Sequence, residues 1–397
     1  MSTRRSFLFI LLFSVAHFFH HLLTSIIVPL LPMIRDDFSL SYAQAGGVAS
    51  AFTIAYGLAQ LPAGWVADRV GARYLLFAGV SGVAVVGILI GFSSSYMGLL
   101  ILLAVLGVMG GGYHPSAAPL VSASVEPSRR GKALGMHIVG GSASHFVSPL
   151  AAVALAGVIG WRGSFLAIAV PVFIFGIILF ILLKLYQVTA AGQKGNAKTI
   201  EEPDEPRPLV EIVVYLVVSS AIGAVAGSVI AFVPLFGVDG LGASRSVSAV
   251  FLSLYFLSGM VFAPLSGGIA DKLGPRSVFG ILAVLAGPVV MLLSLVQHWI
   301  MLALIMVVLG AVMFTRMVVS ETYFVTHVPK RWRSTVLGIY YFAGMEASGI
   351  LTPLLGGAID VWGFSASFFM IGAVLTAVAL ISLAVLYGVS RRQLLHS

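Results

Sequence analysis

The sequence contains no cysteine among its 397 residues and little charge of either sign. Without thiols the chain can form neither disulfides nor thiolate metal sites. Charged residues make up 9% of the chain and hydrophobic residues 59%, whereas about a quarter of a soluble domain is charged. This composition excludes a water-soluble fold. The sequence also has no Gly-Lys-Ser/Thr phosphate loop and no Ser-His-acid set, so we expect no enzyme, no ATP and no cofactor.

What the sequence has instead is a series of apolar runs long enough to cross a bilayer, which takes about 20 helical residues. The one long polar stretch, with mixed charge and three prolines, is predicted to be a cytoplasmic linker at 187–209. The expected fold is an all-α membrane protein with six-helix bundles at 1–186 and 210–397. The twelve predicted transmembrane helices are 7–33, 43–66, 74–93, 97–122, 132–157, 163–185, 210–236, 246–269, 276–296, 299–323, 335–358 and 365–389.

A short charged loop occurs twice, once in each predicted bundle. The first copy reads Gly64-Trp-Val-Ala-Asp-Arg-Val-Gly-Ala-Arg73 and the second Gly267-Gly-Ile-Ala-Asp-Lys-Leu-Gly-Pro-Arg276. Self-similarity at half the chain length is typical of transporters built from two pseudo-symmetric repeats. We define the ten patterned residues as the latch: Gly64, Asp68, Arg69, Gly71, Arg73, Gly267, Asp271, Lys272, Gly274 and Arg276.

The basic residues predict the orientation of these helices. The chain carries 22 Lys and Arg and a formal net charge of +8. On the predicted map all of them fall on one face except Arg35, Arg162 and Arg245 on the opposite face and Arg316 inside a span. By the positive-inside rule both termini and the linker are cytoplasmic. The net charge therefore reflects membrane orientation, and we expect no nucleic-acid partner.

With six plus six helices, a central linker and the doubled loop, the chain resembles the major facilitator superfamily over essentially its whole length. A closer resemblance, to the fosmidomycin resistance branch, rests on Ala16-His17-Phe-Phe-His20-His21 with Pro29-Leu-Leu-Pro32, Tyr113-His114-Pro115 and Gly135-Met-His137-Ile-Val-Gly140-Gly141. This resemblance implies a proton-driven exporter. The branch usually has an acidic residue where this chain has His21, which leaves the proton carrier open.

The latch has a physical interpretation of its own. Its glycines allow a tight turn, its Asp can accept hydrogen bonds from a helix N-terminus, and its basic residues anchor the cytoplasmic surface. We expect Asp68 near Ser334 and Asp271 near 130–132, where each contact would restrain the inward-open state. The alternative is a solvated turn that only enforces topology.

Histidines are the main ionisable groups in the predicted first-half spans, where such groups are expensive unless they face a cavity or a partner. An imidazole titrates near pH 6.5, so His17 or His21 is a candidate proton carrier, with His21 preferred. The alternative is a neutral histidine bonded within the bundle. The repeat offset that carries Pro127 onto Pro329 also carries His114 onto Arg316. The resemblance implies that the first helices of each three-helix repeat line a central cavity around His17, His21, His114 and Arg316.

Arg316 cannot usefully deprotonate and needs a counter-charge, for which Glu346 on the next helix is the expected partner. If that pair opens, an anionic substrate could take Arg316 while Glu346 takes a proton. The alternative is a permanent structural ion pair. Further candidates for lining the cavity are His20, Tyr56, Gln60, Tyr113, His137, Tyr255 and Tyr340; His145 is a weaker candidate.

The sequence therefore predicts a proton-coupled secondary transporter that moves a small organic solute by alternating access. Antiport, meaning efflux, is favoured by the resemblance, and a symporter that takes up a small organic carboxylate is the main alternative. Two weaker alternatives are a non-transporting membrane receptor or scaffold and a divalent metal carrier, because His17 and His21 lack a carboxylate to complete a tetrahedral set. We expect a multi-pass protein of the inner membrane, working as a monomer, with protons and the solute as its partners.

Overall fold

The computed structural model describes residues 3–126, 129–188 and 209–396, and this part of the chain is almost entirely helical with no strand. Two short π-helical segments, 78–82 and 236–240, interrupt the α-helices. Most of the predicted linker at 187–209 lies outside the described residues. The α-helices are α1 (Thr3–Thr24), α2 (Ile27–Phe38), α3 (Tyr42–Val70), α4 (Ala72–Phe77), α5 (Val83–Ile90), α6 (Tyr96–Gly111), α7 (Tyr113–Ala123), α8 (Arg130–Leu185), α9 (Leu209–Leu235), α10 (Arg245–Leu273), α11 (Pro275–Leu292), α12 (Trp299–His327) and α13 (Lys330–His396).

Among the described residues, nine helical stretches are long and apolar enough to cross a membrane. Large apolar side chains such as Val158 and Val374 are exposed along them, which suits a lipid-facing surface. The chain is thus a multi-pass integral membrane protein. Two of the nine stretches, in α8 and α13, have 56 and 54 residues, while α3 has 29 residues and is not one of the nine.

Both long helices are broken near the middle by a glycine. Gly160 in α8 has φ 73° and ψ 167°, and Gly363 in α13 has φ 73° and ψ 174°. This backbone region is essentially restricted to glycine. The two glycines are separated by the same interval as the two latch copies, so the repeat extends to the backbone conformation of the break.

Prolines place two further breaks. A proline ring collides with the carbonyl four residues earlier and donates no hydrogen bond to it. Pro29 accordingly separates α1 from α2 near Ser25, inside the predicted span 7–33. Pro115 separates α6 from α7 at Gly112, inside the predicted span 97–122. The second break puts His114 at the start of α7.

The helices form two compact units. Unit 1 comprises 1–40, 47–195 and 244–253, and unit 2 comprises 41–46, 196–243 and 254–397. In unit 1 the most extensive helix packing joins α1 to α8, and in unit 2 it joins α9 to α13. Close approach along α1 depends on Gly140, because a Cβ there would overlap the carbonyl oxygen of Ser14.

Candidate functional site

Six histidines lie in successive ring contact in unit 1. His17 stacks on His137 at 4.2 Å between ring centroids and meets His114 at 5.2 Å. His21 lies 4.4 Å from His145 and 4.8 Å from His20. These rings come from α1, α7 and α8, whose packing brings the sequence-distant pairs together. We call this group the histidine cluster: His17, His20, His21, His114, His137 and His145.

His17 is held by the backbone of α8. Its Nδ1 lies 2.7 Å from the carbonyl oxygen of His137; a carbonyl only accepts, so Nδ1 carries the proton and donates. In the neutral ring Nε2 then presents a lone pair, and this buried atom has no hydrogen-bond partner among the described residues. Gly141 makes this packing possible, because a Cβ there would lie 2.5 to 2.8 Å from three atoms of the His17 ring.

His20 is fully buried and bonded at both ring nitrogens. Its Nδ1 donates to the carbonyl oxygen of Gly79 at 2.7 Å, and its Nε2 accepts from the Tyr56 hydroxyl at 3.3 Å. Gly79 belongs to the π-helical segment 78–82, and such segments are frequent at functional sites. With both nitrogens bonded, His20 holds α1 against the segment 78–82 and Tyr56.

The two histidines of α8 are also anchored. The Nδ1 of His137 donates to the carbonyl oxygen of Phe13 at 3.0 Å, and the Nδ1 of His145 lies 3.0 Å from the Ser25 hydroxyl. His137 and His17 therefore brace α1 and α8 through two reciprocal side-chain to backbone bonds.

His21 and His114 differ from the rest of the cluster. Both are half-buried, as His145 also is, and their ring centroids are 5.3 Å apart. The described residues supply no hydrogen bond to either ring. With the Nε2 of His17, they are the members of the cluster that can still take a proton or a ligand at little cost in lost bonds.

The corresponding candidate residue in unit 2 is Arg316. Its side chain is buried on α12, and its NH1 group donates to the backbone and hydroxyl oxygens of Ser219 on α9, at 2.5 and 2.8 Å. The Ser219 hydroxyl in turn meets that of Ser320 at 2.7 Å. The guanidinium carbon lies 5.9 Å from the centroid of Tyr340, and the buried Nε has no hydrogen-bond partner among the described residues.

The expected ion pair between Arg316 and Glu346 is not formed within the described part of the chain. One oxygen of Glu346 is buried with no hydrogen-bond partner there, and Arg316 turns to Ser219 instead. Glu321, on the same helix as Arg316, hydrogen-bonds Tyr341 and interacts electrostatically with Arg316. Neutral oxygens on α9 thus satisfy part of the hydrogen-bonding capacity of Arg316. No sequence signal singles out Ser219, because serine is common in apolar helices.

The uncharged candidates divide between the two units. Tyr56 and Tyr113 are buried in unit 1, where Tyr113 stacks on His20 at 4.2 Å, and Gln60 is half-buried. Tyr255 and Tyr340 are buried in unit 2. The hydroxyl of Tyr113 has no hydrogen-bond partner among the described residues.

The last glycine of each latch copy has a positive φ, which is the backbone conformation that a tight turn uses. Gly71 has φ 104° and Gly274 has φ 80°, at the junctions of α3 with α4 and of α10 with α11. Gly64 and Gly267 have open space where a Cβ would stand, so their helix contacts do not require glycine. In unit 1 a cavity of about 760 Å³ is lined by Gly64, Asp68, Gly71, Arg73 and residues of α7.

The basic residues of the latch have different neighbours in the two copies. The Arg69 guanidinium lies 4.0 Å from the Trp65 ring centroid, and Arg73 lies over Tyr74 and Phe180. Arg276 instead pairs at 3.7 Å with the buried carboxylate of Glu211, which also accepts from the Tyr323 hydroxyl. Lys272 is exposed. The side chains of Asp271 and Ser334, on which the two expected helix-terminus contacts depend, lie outside the described residues.

Comparison with known proteins identifies the family. The family model of the Major Facilitator Superfamily matches residues 13–345 and, again, 238–395. Two curated relatives named Multidrug resistance protein MdtG are 27% identical over 361 residues in Proteus mirabilis, covering 88% of this chain and 89% of the relative, and 26% identical over 381 residues in Dickeya zeae, covering 93% and 92%.

Solved structures share the fold at low sequence identity. A peptide transporter POT variant superimposes with a TM-score of 0.81 at 16% identity, covering 96% of this chain and 95% of that one. A bacterial homologue of the human lysosomal transporter Spinster, inward-facing and occupied, gives 0.78 at 17% identity and covers 98% of both chains. The expectation from the doubled loop is confirmed: the chain belongs to the Major Facilitator Superfamily and is a membrane transporter, not an enzyme.

Proposed function

We propose that this protein is a proton-coupled secondary transporter that exports a small organic solute across the inner membrane by alternating access. The proposal is supported by relatives that carry the name multidrug resistance protein and align along nearly the whole chain. It needs no cofactor, because the proton gradient supplies the energy.

The observation that carries the proton-coupling part is the pair of half-buried imidazoles, His21 and His114, in contact with the rest of the histidine cluster. A histidine gains or loses its proton within the physiological range. A proton on one ring disfavours a proton on its neighbours, so the cluster takes up few protons at a time. We assign His21 as the proton carrier, since His17 and His20 are committed to backbone bonds.

A second function, uptake of an organic carboxylate together with protons, is favoured by Arg316. The guanidinium is fixed by Ser219 yet keeps a buried Nε without a partner among the described residues. Arginine matches carboxylate geometry with two parallel donors. In this scheme the carboxylate binds Arg316, and Glu346, which is not engaged by Arg316, is free to accept a proton.

For the topology we infer twelve spans with both termini and the linker cytoplasmic. A continuous 56-residue helix would be about 84 Å long, far more than the about 30 Å of a hydrocarbon core. Dividing α8 at Gly160 and α13 at Gly363, and including α3, turns the nine stretches into twelve. Both glycines are exposed, as expected for turns between two spans. Each chain then contains its own pathway and works as a monomer.

The deciding experiment follows pH inside proteoliposomes while drugs, phosphonates and small organic acids are added to one side. Proton movement opposite to a drug or phosphonate supports the exporter. Proton movement in the same direction as a carboxylate, lost in Arg316→Ala, supports uptake and overturns export. No proton movement with any solute, although binding is retained, would overturn proton coupling.

Two controls make the result specific. Lys184→Ala removes an exposed charge at the end of α8 and should leave transport unchanged. A receptor or scaffold would tolerate substitution at both His21 and Arg316, with full biological activity and no solute flux.

A further inference from the structure

The histidine cluster contains a three-nitrogen geometry that goes beyond the proton-carrier role proposed for His21. One ring nitrogen from each of His17, His21 and His114 lies within 4.8 Å of the other two. Nitrogen ligands bind zinc at about 2.0–2.1 Å, which puts two tetrahedral ligands about 3.4 Å apart. Small rotations of the half-buried His21 and His114 rings would close that difference.

The bond that fixes His17 also prepares it as a ligand. Metal-binding histidines almost always donate their other ring N–H to a carbonyl or carboxylate, which sets the tautomer and the ring orientation. His17 does this through Nδ1 and the His137 carbonyl, leaving Nε2 buried without a partner among the described residues. His20 is the internal contrast, because both of its nitrogens are engaged.

The backbone supplies the other two ligands from fixed positions. His17 and His21 are four residues apart on α1, and this spacing places two side chains on one helix face. His114 stands at the start of α7, where the Pro115 break turns it toward α1, with its ring 5.2 Å from that of His17. The two α1 histidines alone are an incomplete ligand set, and helix packing adds His114 as the third donor.

We propose that His17, His21 and His114 bind one divalent transition-metal ion, of the class of Zn²⁺, Co²⁺ and Ni²⁺, with a coordination position left open. Imidazole suits these ions, while Mg²⁺ and Ca²⁺ take oxygen ligands. Zinc sites that bind water or a substrate have three protein ligands and a fourth position left open. No carboxylate belongs to the set, so the bound ion keeps its positive charge and favours an anionic donor at the open position.

The test is equilibrium binding and does not depend on transport. The protein is purified in detergent with a histidine-free affinity handle, stripped with a chelator and titrated with Co²⁺, whose visible absorption reports nitrogen coordination. We expect one Co²⁺ per chain, displaced by Zn²⁺ and not by excess Mg²⁺. Protons compete for the same nitrogens, so Co²⁺ affinity should fall as pH is lowered. Wild-type protein that stays folded and gives no Co²⁺ spectrum overturns the proposal.

Single substitutions assign the ligands. His17→Gln, His21→Gln and His114→Gln should each weaken Co²⁺ binding by about tenfold or more, as loss of even an outer-shell partner costs about that much. His327→Gln is the control, since His327 bonds Thr326 and Tyr323 at the far end of α12, and it should bind as the wild type does. Thermal unfolding without metal checks that each variant is folded. Unchanged binding in all three variants would overturn the assignment and leave an adventitious surface ion as the explanation.

Discussion

The two units share backbone devices but differ in the chemistry of their buried ionisable groups. Gly160 and Gly363 have the same φ, Gly71 and Gly274 both have positive φ, and α1 packs on α8 as α9 packs on α13. Yet unit 1 concentrates six histidines, whereas the buried charged residues of unit 2, among those described, are Arg316 and Glu211. Duplication thus preserved what the chain needs to turn and pack, while the side chains diverged into a titratable region and a fixed charge.

The difference is sharpest at the positions that the repeat makes equivalent. His114 follows a break at Gly112, because Pro115 ends α6, while Arg316 lies inside the uninterrupted helix α12. A residue beside a break can change its position without disturbing a continuous helix. The fixed charge is instead tied to α9 by Ser219. We therefore assign the mobile, proton-dependent role to unit 1 and the anchoring role to unit 2.

The largest expected effect on transport comes from removing the Arg316 side chain. In Arg316→Ala, loss of charge-assisted hydrogen bonds worth about 1.5–3 kcal/mol each should lower solute-driven proton flux by about tenfold to a hundredfold. Arg316→Lys keeps the charge but not the planar fork, and should recover only part of the flux. Flux is measured in proteoliposomes with matched protein content. Full activity in both variants would remove Arg316 from the transport pathway and with it the division of roles.

Substitution of His21 tests the proton-dependent role assigned to unit 1. With equal pH on both sides, solute exchange by the wild type should depend on pH, because an imidazole in the transport pathway gains its proton as pH falls. His21→Gln should flatten this profile between about pH 5 and 8. His20→Gln is the matched comparison: it should lower thermal stability by breaking two buried bonds and keep the pH dependence. If His20→Gln flattens the profile and His21→Gln does not, the assignments are reversed.

Much of the fold was predictable from sequence, because apolar runs and the doubled loop depend on local patterns. The family was predicted correctly. The break at Ser25 was missed, since a proline in an apolar run does not by itself tell whether the helix bends or ends. The positive φ of Gly71 and Gly274 follows directly from the turn interpretation of the loop.

The site was less predictable, because its contacts join residues far apart in the chain. His17, His21, His114 and Arg316 stand out in the sequence as ionisable groups in predicted spans, and the family resemblance implied that they share a cavity. The expected partner of Arg316 was Glu346, whereas the described contact is with Ser219 on α9. No sequence signal marks one serine among many as the partner of an arginine. The preference for His21 over His20 rested on helix spacing and the family resemblance, and no sequence signal reveals the two bonds that engage His20.

Gly141 offers a way to disturb the histidine cluster without changing a histidine. In Gly141→Ala the new methyl group would overlap the His17 ring, and overpacking of this kind costs about 1–3 kcal/mol. We expect a lower unfolding temperature and slower proton-coupled exchange. Gly135→Ala, also on α8 but with open space at its Cβ position, is the matched control and should behave as the wild type does. Equal effects of the two substitutions would show that His17 packing is not the cause.

The smallest expected effect on transport, and the most direct test of the repeat, concerns Gly160 and Gly363. An alanine at φ 73° and ψ near 170° is strained by about 1–3 kcal/mol, so each substitution should lower the unfolding temperature in detergent, and by a similar amount. Gly157→Ala and Gly357→Ala, at helical positions with free space, should be neutral or slightly stabilising because alanine favours helices. A large effect at one break and none at the other would mean that the two units share a sequence pattern but not its energetic role.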